Sequence, residues 1–530
     1  MATSETWNDV MRLVKSKGNM DIKLKGAEMG KVVTRFPPEP SGFLHIGHAK
    51  AALLNDYFAR MYEGKLIVRF DDTNTEKATQ GFEDAIIGDL TKLGIKPNMV
   101  HYTSDFFPHL LEMAEKFIRE DKAYVDATPA EEMKAQRLKR EANEYRSQSM
   151  EENLRMWQDM LNGTELGAQC VLRAKIDIRH KNGTMRDPTM YRTKKMPHHR
   201  TGGKYHVYPT YDFSCPLVDS WEGVTHALRS LEYKDREAQY KWMARAAELK
   251  CPEVWEFSRL DFVRTVLSKR KLQKLIDIGA AKSWDDPRFP TIQGIRRRGM
   301  TIQGIRAFIL SQGASRNNTT QEWDKIWTVN KRVIDPVAPR HVAINKEKAR
   351  NATVTNAEPE IKAMPKHKKN DNLGTKSVIY QKKILVDGED ADSFEIGEKV
   401  TFMDWGNCEI TARDDQGNLE AVFMPQDQNF KGTKKITWLA DVEDLVSIKV
   451  CRYSDILTKN RLEEDDEFED FLNKDSEQVE YLSGDINLKL LKKGDTIQLE
   501  RRGYFICDSA APPLTLIEIP DGKVAKSKGK

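Results

Sequence analysis

Two histidines three residues apart, His45 and His48, follow a run of backbone breakers, Pro37-Pro38-Glu39-Pro40-Ser41-Gly42. Imidazoles at that spacing lie on one face of a first helical turn. Beside the unpaired N–H groups of a helix N-terminus they make a site for anionic phosphate. There they can stabilise charge developing during nucleotidyl transfer, a reaction dominated by positioning and electrostatics. Taken alone, the pair also fits half-buried core histidines or two metal ligands. A second cluster, Leu267-Ser268-Lys269-Arg270-Lys271-Leu272, sets a hydroxyl beside three successive cations. It can neutralise a triphosphate, or be a solvated basic patch or a modification site. Asp71-Asp72 ahead of Thr73 fits a helix N-cap pair.

These groups need elements to hold them. Lys31 to Phe36 reads as a strand, with Val32 and Val33 carrying β propensity, and the breaker run ends it. Leu44, Ala51, Leu54, Tyr57, Phe58 and Met61 then recur at helical spacing from Leu44 to Met61. A strand over Lys65 to Phe70 closes on Asp71-Asp72-Thr73. A helix over Thr79 to Leu93 follows, with Phe82, Ile86, Leu90 and Leu93 on one face and Gly94 as its stop. Strand, helix, strand, helix predicts a parallel, Rossmann-like sheet, with the breaker turn at its carboxyl edge. Glu131 to Met160 reads as charged helix. Val171 to Asp177 and its basic continuation, Arg179 to Lys204, read as an insertion, and the apolar run Tyr205 to Asp219 as the sheet resuming. Trp255 to Gly313 is mixed and helical. It contains an echo, Thr291-Ile292-Gln293-Gly294-Ile295-Arg296 and Thr301-Ile302-Gln303-Gly304-Ile305-Arg306. Two copies are too few for a solenoid, which leaves coincidence or a pair of similar helix starts.

After about Asp335 the texture changes to short β-rich segments: Ser377–Val386, Glu398–Met403, Lys434–Leu439, Val446–Cys451, Thr496–Leu499, Tyr504–Cys507 and Leu514–Ile519. Turns such as Asp387-Gly388 and Gly494-Asp495 separate them, predicting a β-barrel or a pair of barrels. Lys346 to Lys369 and Lys523 to Lys530 read as basic linkers, and Glu463 to Asp470 as an acidic surface run.

The chain has 530 residues, 39% hydrophobic and 31% charged, enough for several cores and about three or four domains. With 85 basic against 81 acidic residues the net charge is only +4, so a nucleic-acid surface has to come from local clustering. Six cysteines without a Cys-x-x-Cys pair argue against a disulfide scaffold and a thiolate zinc site. No apolar run approaches the roughly 18 residues of a membrane helix, and Met1 to Lys31 lacks an apolar signal core. The expectation is a soluble, multidomain protein of a reducing compartment.

Arg35 to Asn55, RFPPEPSGFLHIGHAKAALLN, resembles the HIGH signature of class I aminoacyl-tRNA synthetases. LSKRK at Leu267 to Lys271 is similar to the KMSKS signature of the glutamyl and glutaminyl enzymes. Val266 and Arg270 replace its first lysine and last serine, so Ser268 and Lys269 carry over. RFDDTN (Arg69 to Asn74), YPTYDFSCPLVDS (Tyr208 to Ser220), EGVTHALRSLEY (Glu222 to Tyr233) and WDDPRFPT (Trp284 to Thr291) resemble the same subclass, in consistent order from about Lys31 to Pro520. The chain is similar to the eukaryotic and archaeal glutamyl type, whose anticodon-binding part is made of β-barrels. The β texture after Asp335 independently disfavours the helical bacterial type. Many eukaryotic relatives carry an N-terminal glutathione-transferase-like domain; the stretch before Lys31 is too short for one, which predicts a short form or a truncated chain.

The resemblance implies an α/β Rossmann-like catalytic domain at 31–125 and 205–250, interrupted by an acceptor-stem-binding domain at 126–204. A KMSKS-bearing helical connector at 251–335 and an all-β anticodon-binding region at 336–520 follow, with an N-terminal extension at 1–30 and a basic tail at 521–530. It implies ATP-dependent formation of glutamyl-adenylate and transfer of the acyl group to tRNA(Glu). His45, His48, Ser268 and Lys269 would be catalytic. Glu39, Pro40, Ser41, Gly47, Ser230, Arg259, Leu260 and Leu267 would complete the ATP site. Arg35, Asp71, Tyr211 and Arg229 would bind glutamate, and Asp235 the acceptor stem. Mg²⁺ would arrive with ATP, with no zinc and no metal held by the protein. Lys181 to Lys204, Arg296, Arg297, Arg298, Arg306 and Lys346 to Lys369 would follow the RNA backbone. A cytoplasmic monomer with multi-synthetase partners is the implied setting. Glutaminyl relatives keep the first arginine but have a small uncharged residue where Arg229 stands, so Arg229 points to an acidic substrate. The alternatives are a glutaminyl-tRNA synthetase, another nucleotidyl transferase, or a non-catalytic RNA-binding scaffold that kept the fold.

Overall fold

The computed structural model describes residues 4–14, 23–76, 80–312, 319–463 and 465–522. Thr79 and the tail Lys523 to Lys530, both named above, lie outside the described residues. The chain divides into two compact units. One takes residues up to Asp261 with 309–320, the other takes 262–308 with the chain from Gln321 onward.

In the first unit, helix α1 (Ser4–Val14) lies in the stretch expected to be a mere extension. Its Trp7 is fully buried and donates its indole N–H to Asp56 Oδ2 at 2.8 Å, with Tyr57 edge-on at 5.4 Å. Strand β1 (Val33–Phe36), helix α2 (Ile46–Met61), strand β2 (Lys65–Phe70), helix α3 (Gln80–Lys92) and strand β3 (Met99–Tyr102) follow. The three strands pair in parallel, β1-β2-β3. The crossover prediction therefore holds, with ends shifted by one or two residues.

Helix α4 (Phe107–Arg119) leads to strand β4 (Ala123–Asp126). The charged stretch Glu131 to Met160 is two helices, α5 (Ala130–Lys139) and α6 (Met150–Asn162), because Arg140 takes a left-handed φ of 63° and ends the first. Strands β5 (Val171–Ala174), β6 (Thr189–Thr193) and β7 (Val207–Pro209) complete an antiparallel sheet in the order β4-β5-β6-β7. The run Tyr205 to Asp219 is thus a correction. It holds the insertion's last strand, paired with β6 through Tyr191 and Pro209, and then helix α7 (Tyr211–Trp221). An apolar run has no period that tells these apart. Parallel pairing resumes only at β8 (His226–Ser230), which after helix α8 (Glu237–Ala246) pairs with β9 (Glu253–Phe257). Thr225, at the start of β8, donates its N–H to the Val33 carbonyl at 3.0 Å, and the Val33 N–H donates to the Thr225 hydroxyl at 2.9 Å. Strand order therefore reverses between β1 and β8, the kind of switch point where open α/β sheets bind ligands.

The second unit holds helix α9 (Lys269–Asp277), helix α10 (Ile292–Arg297) and two seven-stranded, barrel-like sheets. The stretch read as one connector, 251–335, is divided between the two units. The echo is a pair of like helix starts. Thr291 Oγ1 accepts the Gly294 N–H at 3.0 Å, and Thr301 Oγ1 the Gly304 N–H at 2.9 Å. Lys346 to Lys369 is no linker, for it contains strands Arg350–Val354 and Glu360–Pro365. The second of these is exposed along nearly its whole length, so it offers no alternation to read. Strands Gly406–Arg413, Leu419–Phe423 and Glu477–Gly484 also escaped the sequence reading. Nor are the arginines of the expected RNA track free. Arg297 pairs with Asp508 at 2.7 Å, Arg296 donates to the Met300 carbonyl at 2.5 Å, Arg298 lies over Trp327 and Arg306 is buried.

Candidate active site

His45 is the N-cap of α2, in extended conformation. Its Nδ1 accepts the Gly47 N–H at 3.1 Å, while the His45 N–H donates to His48 Nδ1 at 3.2 Å. This is a capping box built from two imidazoles where Ser/Thr and Glu/Gln are usual. The rings stack at 3.7 Å. With both Nδ1 atoms accepting, each neutral ring carries its proton on Nε2, which makes Nε2–H the donor toward a ligand. A Cβ on Gly47 would stand 3.0 Å from His45 Cε1, so a larger residue there would push against the capping ring.

A cavity of about 660 Å³ opens at the carboxyl ends of β1 and β8. Of the first-unit residues expected to bind substrate, Arg35, Glu39, His45, Gly47, His48, Asp71, Tyr211, Arg229, Ser230, Arg259 and Leu260 all line it. Pro40 and Ser41 are off its wall, Ser41 donating instead to Glu39 Oε2 at 2.9 Å. Asp235 is exposed and away from the cavity; its carbonyl accepts from Asn182 Nδ2 at 2.6 Å and Thr184 Oγ1 at 2.8 Å in the insertion.

The arginines of this cavity divide sharply. Arg35 is fully buried and donates from Nε to Asp219 Oδ2 at 2.9 Å and from Nη1 to the Leu228 carbonyl at 3.1 Å. Beneath it, Arg69 pairs with Asp219 at 2.6 Å and Glu222 at 2.5 Å, and the Tyr240 hydroxyl donates to Asp219 at 2.7 Å. Burial opposes charge on Arg35, but the Asp219 carboxylate outweighs it and holds the guanidinium above its ordinary value. Burial likewise works against the charge on Asp219, and the two guanidiniums hold it below the usual carboxylate range. Arg236 pairs with Asp212 at 2.9 Å, and Arg259 with Glu232 at 2.5 Å and Asp261 at 3.0 Å.

Arg229 differs. It is 5% exposed, and its Nε and Nη1 have no hydrogen-bond partner. Among the described residues it forms no ion pair, and its guanidinium carbon lies 5.0 Å from the Tyr233 ring and 4.9 Å from that of Tyr240. Burial lifts the Asp71 carboxyl to about 6 against the Thr73 hydroxyl, which donates to it at 2.9 Å. Burial also pushes the Tyr211 phenol far up, so it stays a hydroxyl donor. A buried cation, a carboxylate and a phenol therefore face one space with the two-histidine helix end.

The sequence reading missed Arg192, Asp212, Glu232, Tyr233 and Arg236 on the cavity wall. Arg192 comes from β6, and only the antiparallel pairing with β7 brings it there; no local pattern marks it. Leu267, Ser268 and Lys269 belong to the second unit. Ser268 is the N-cap of α9, whose Leu272 and Leu275 pack with Val266, Phe289, Ile456, Leu457 and Phe468, while Lys274 pairs with Glu469. Among the described residues no group of three or more His, Cys, Asp or Glu is placed to hold a metal.

Residues 31–336 match the family model for tRNA synthetases class I (E and Q), catalytic domain. Residues 338–425 and 435–508 match two models for the anti-codon binding domain of the same family. The chain is 51% identical over 520 residues to a cytoplasmic glutamate–tRNA ligase of Saccharomyces cerevisiae, covering 97% of this chain and 73% of that protein. A cytoplasmic glutamate–tRNA ligase of Arabidopsis thaliana is 49% identical, with 96% and 72% covered. The bifunctional glutamate/proline–tRNA ligase of Mus musculus is 51% identical over 518 residues, which are 94% of this chain and 34% of that protein. The chain thus spans about a third of the bifunctional relative.

Proposed function

The chain belongs to the class I tRNA synthetases of the glutamyl and glutaminyl kind, and from that premise we propose that it is a glutamate–tRNA ligase. In the first step an oxygen of the glutamate α-carboxylate attacks the α-phosphorus of ATP, and the bond to the β-phosphate breaks to release pyrophosphate. In the second, a hydroxyl of the terminal ribose of tRNA(Glu) attacks the acyl carbon, and AMP leaves. ATP brings Mg²⁺ as part of the substrate.

The residue roles follow from the chemistry of the site. His45 and His48 donate from Nε2 to the phosphate oxygens, at the positive end of α2. Glu39, Ser230, Arg259 and Leu260 hold the nucleotide, and Ser268 and Lys269 take the charge of leaving pyrophosphate. Asp71 and the Tyr211 hydroxyl bind the α-ammonium. Arg35, held by Asp219, shapes the floor of the pocket, and Arg229 receives the γ-carboxylate. The insertion, with Asp235, receives the acceptor stem, and the β-rich region reads the anticodon. The cytoplasm is the expected compartment, in line with the names of the relatives.

The observation that carries the amino-acid choice is Arg229, buried without a carboxylate. An amide set against it leaves a desolvated cation unmatched, at a cost of about 3–5 kcal/mol. That is roughly two to three and a half orders of magnitude in selectivity. The test is aminoacylation of purified tRNA with labelled glutamate and labelled glutamine. Glutamate is expected to charge and glutamine to stay excluded; Arg229→Cys is expected to lower kcat/KM for glutamate by at least a hundredfold. Equal charging with both amino acids would overturn the reading.

A further inference from the structure

Lys50 sits two residues beyond His48 on α2 and is 3% exposed. Lysine is seldom buried unless paired, yet no carboxylate among the described residues reaches its Nζ. The ammonium instead donates to the Ser258 carbonyl at 2.5 Å and to the Ser258 hydroxyl at 2.9 Å, with the Phe257 ring 5.9 Å away. Ser258 stands between residues of the cavity wall, Phe257 before it and Arg259 and Leu260 after it. Helix and segment also approach closely at Gly47, where a Cβ would lie 3.7 Å from the Leu260 carbonyl. The one ammonium therefore joins the helix that presents the histidines to the segment assigned to the nucleotide.

We propose that Lys50 is a positioning residue for ATP, its ammonium holding Phe257, Arg259 and Leu260 at the separation from the histidine helix that the nucleotide requires. The inference rests on the reading of this cavity as an ATP site. A residue kept only for stability would be a poor choice here, since an unpaired buried charge costs folding free energy and a methionine of like length would not. Burial brings the Nζ down to about 8, so the tie is complete at neutral pH and weakens as pH rises beyond that value. The groups facing it are Ser258 and Phe257. The charged residues of the same segment, Arg259 and Asp261, pair with each other and with Glu232. Glu256 precedes them on β9 with Oε1 unpartnered, and the neutral imidazoles of His45 and His48 are the titratable neighbours at the start of its own helix.

The experiment compares the intact protein with Lys50→Met and Ser258→Ala, by calorimetric titration of MgATP and by steady-state aminoacylation. Lys50→Met is expected to raise both Kd and KM for ATP about tenfold, with kcat within about threefold and KM for glutamate unchanged. Its melting temperature is expected to stay level or rise. Ser258→Ala, which keeps the carbonyl, raises KM for ATP by about two- to threefold and adds less than that on top of Lys50→Met. In the unsubstituted protein kcat/KM for ATP falls above about pH 8, and in Lys50→Met that fall is absent. Unchanged ATP affinity in both variants, or a loss confined to kcat, overturns the inference. Failure of the unsubstituted protein to bind MgATP overturns the ATP reading itself.

Discussion

The floor and the wall of the cavity treat their arginines in opposite ways. On the floor, Arg35 and Arg69 share Asp219, Glu222 backs Arg69, and Tyr240 adds a hydroxyl. On the wall, Arg229 is nearly as buried and, among the described residues, has the faces of two tyrosines and no ion pair. A buried charge that the fold has already matched is a structural part, whereas one left unmatched waits for a ligand that will match it. Two arginines that look alike in the sequence thus differ in whether folding or substrate completes them.

That difference can be broken from either side. The largest effect is expected at the floor. Asp219→Ala strands two guanidiniums at once, at more than the roughly 3–5 kcal/mol of one broken buried pair, and circular dichroism should show that the first unit no longer folds. Next comes the wall, where Arg229→Cys removes the proposed partner of glutamate but spares the fold, so melting should hold while activity collapses. A folded Asp219→Ala protein, or an unfolded Arg229→Cys protein, would erase the distinction.

Acid sharpens it further. In the proposed reading Asp71 binds the substrate ammonium only when ionised, and burial has brought its carboxyl up to about 6. KM for glutamate should therefore climb about tenfold per pH unit below that value, while KM for ATP does not follow. The sign for stability is the reverse. A carboxyl whose folded value is raised favours the folded chain below its unfolded value, and that contribution is lost as pH rises through 6. The smallest effect belongs to Tyr240→Phe, which removes one hydrogen bond from Asp219 and leaves both ion pairs. It should lower stability by about 1.5 kcal/mol, visible as a modest shift in urea denaturation.

Local pattern carried much of this architecture. The two histidines, the breaker turn and the helical spacing of α2 were legible because they lie within one stretch of chain and obey one period. So were the strands Thr496–Leu499, which alternates cleanly, and Leu514–Ile519, rich in Leu and Ile. What could not be read was pairing at a distance. Arg35 finds Asp219 184 residues away, and nothing near either residue announces that the pocket's first arginine is already neutralised. Lys50 read as one more lysine on a helix, because its partner lies 208 residues further on. The exposed strand Glu360–Pro365 was hidden for another reason, since an edge wetted on both faces carries no hydrophobic rhythm.

Trp7 has a consequence for the helix it packs against. Its indole covers the outer side of the helix whose inner end presents the histidines, and its N–H donates to Asp56, which also accepts from Arg60. A chain lacking Trp7 would keep the two histidines yet leave a tryptophan-sized hole behind their helix, costing about 3–5 kcal/mol. The first helix is in that sense a backing plate, for the helix that presents the two histidines stays covered on its outer side only while Trp7 is in place.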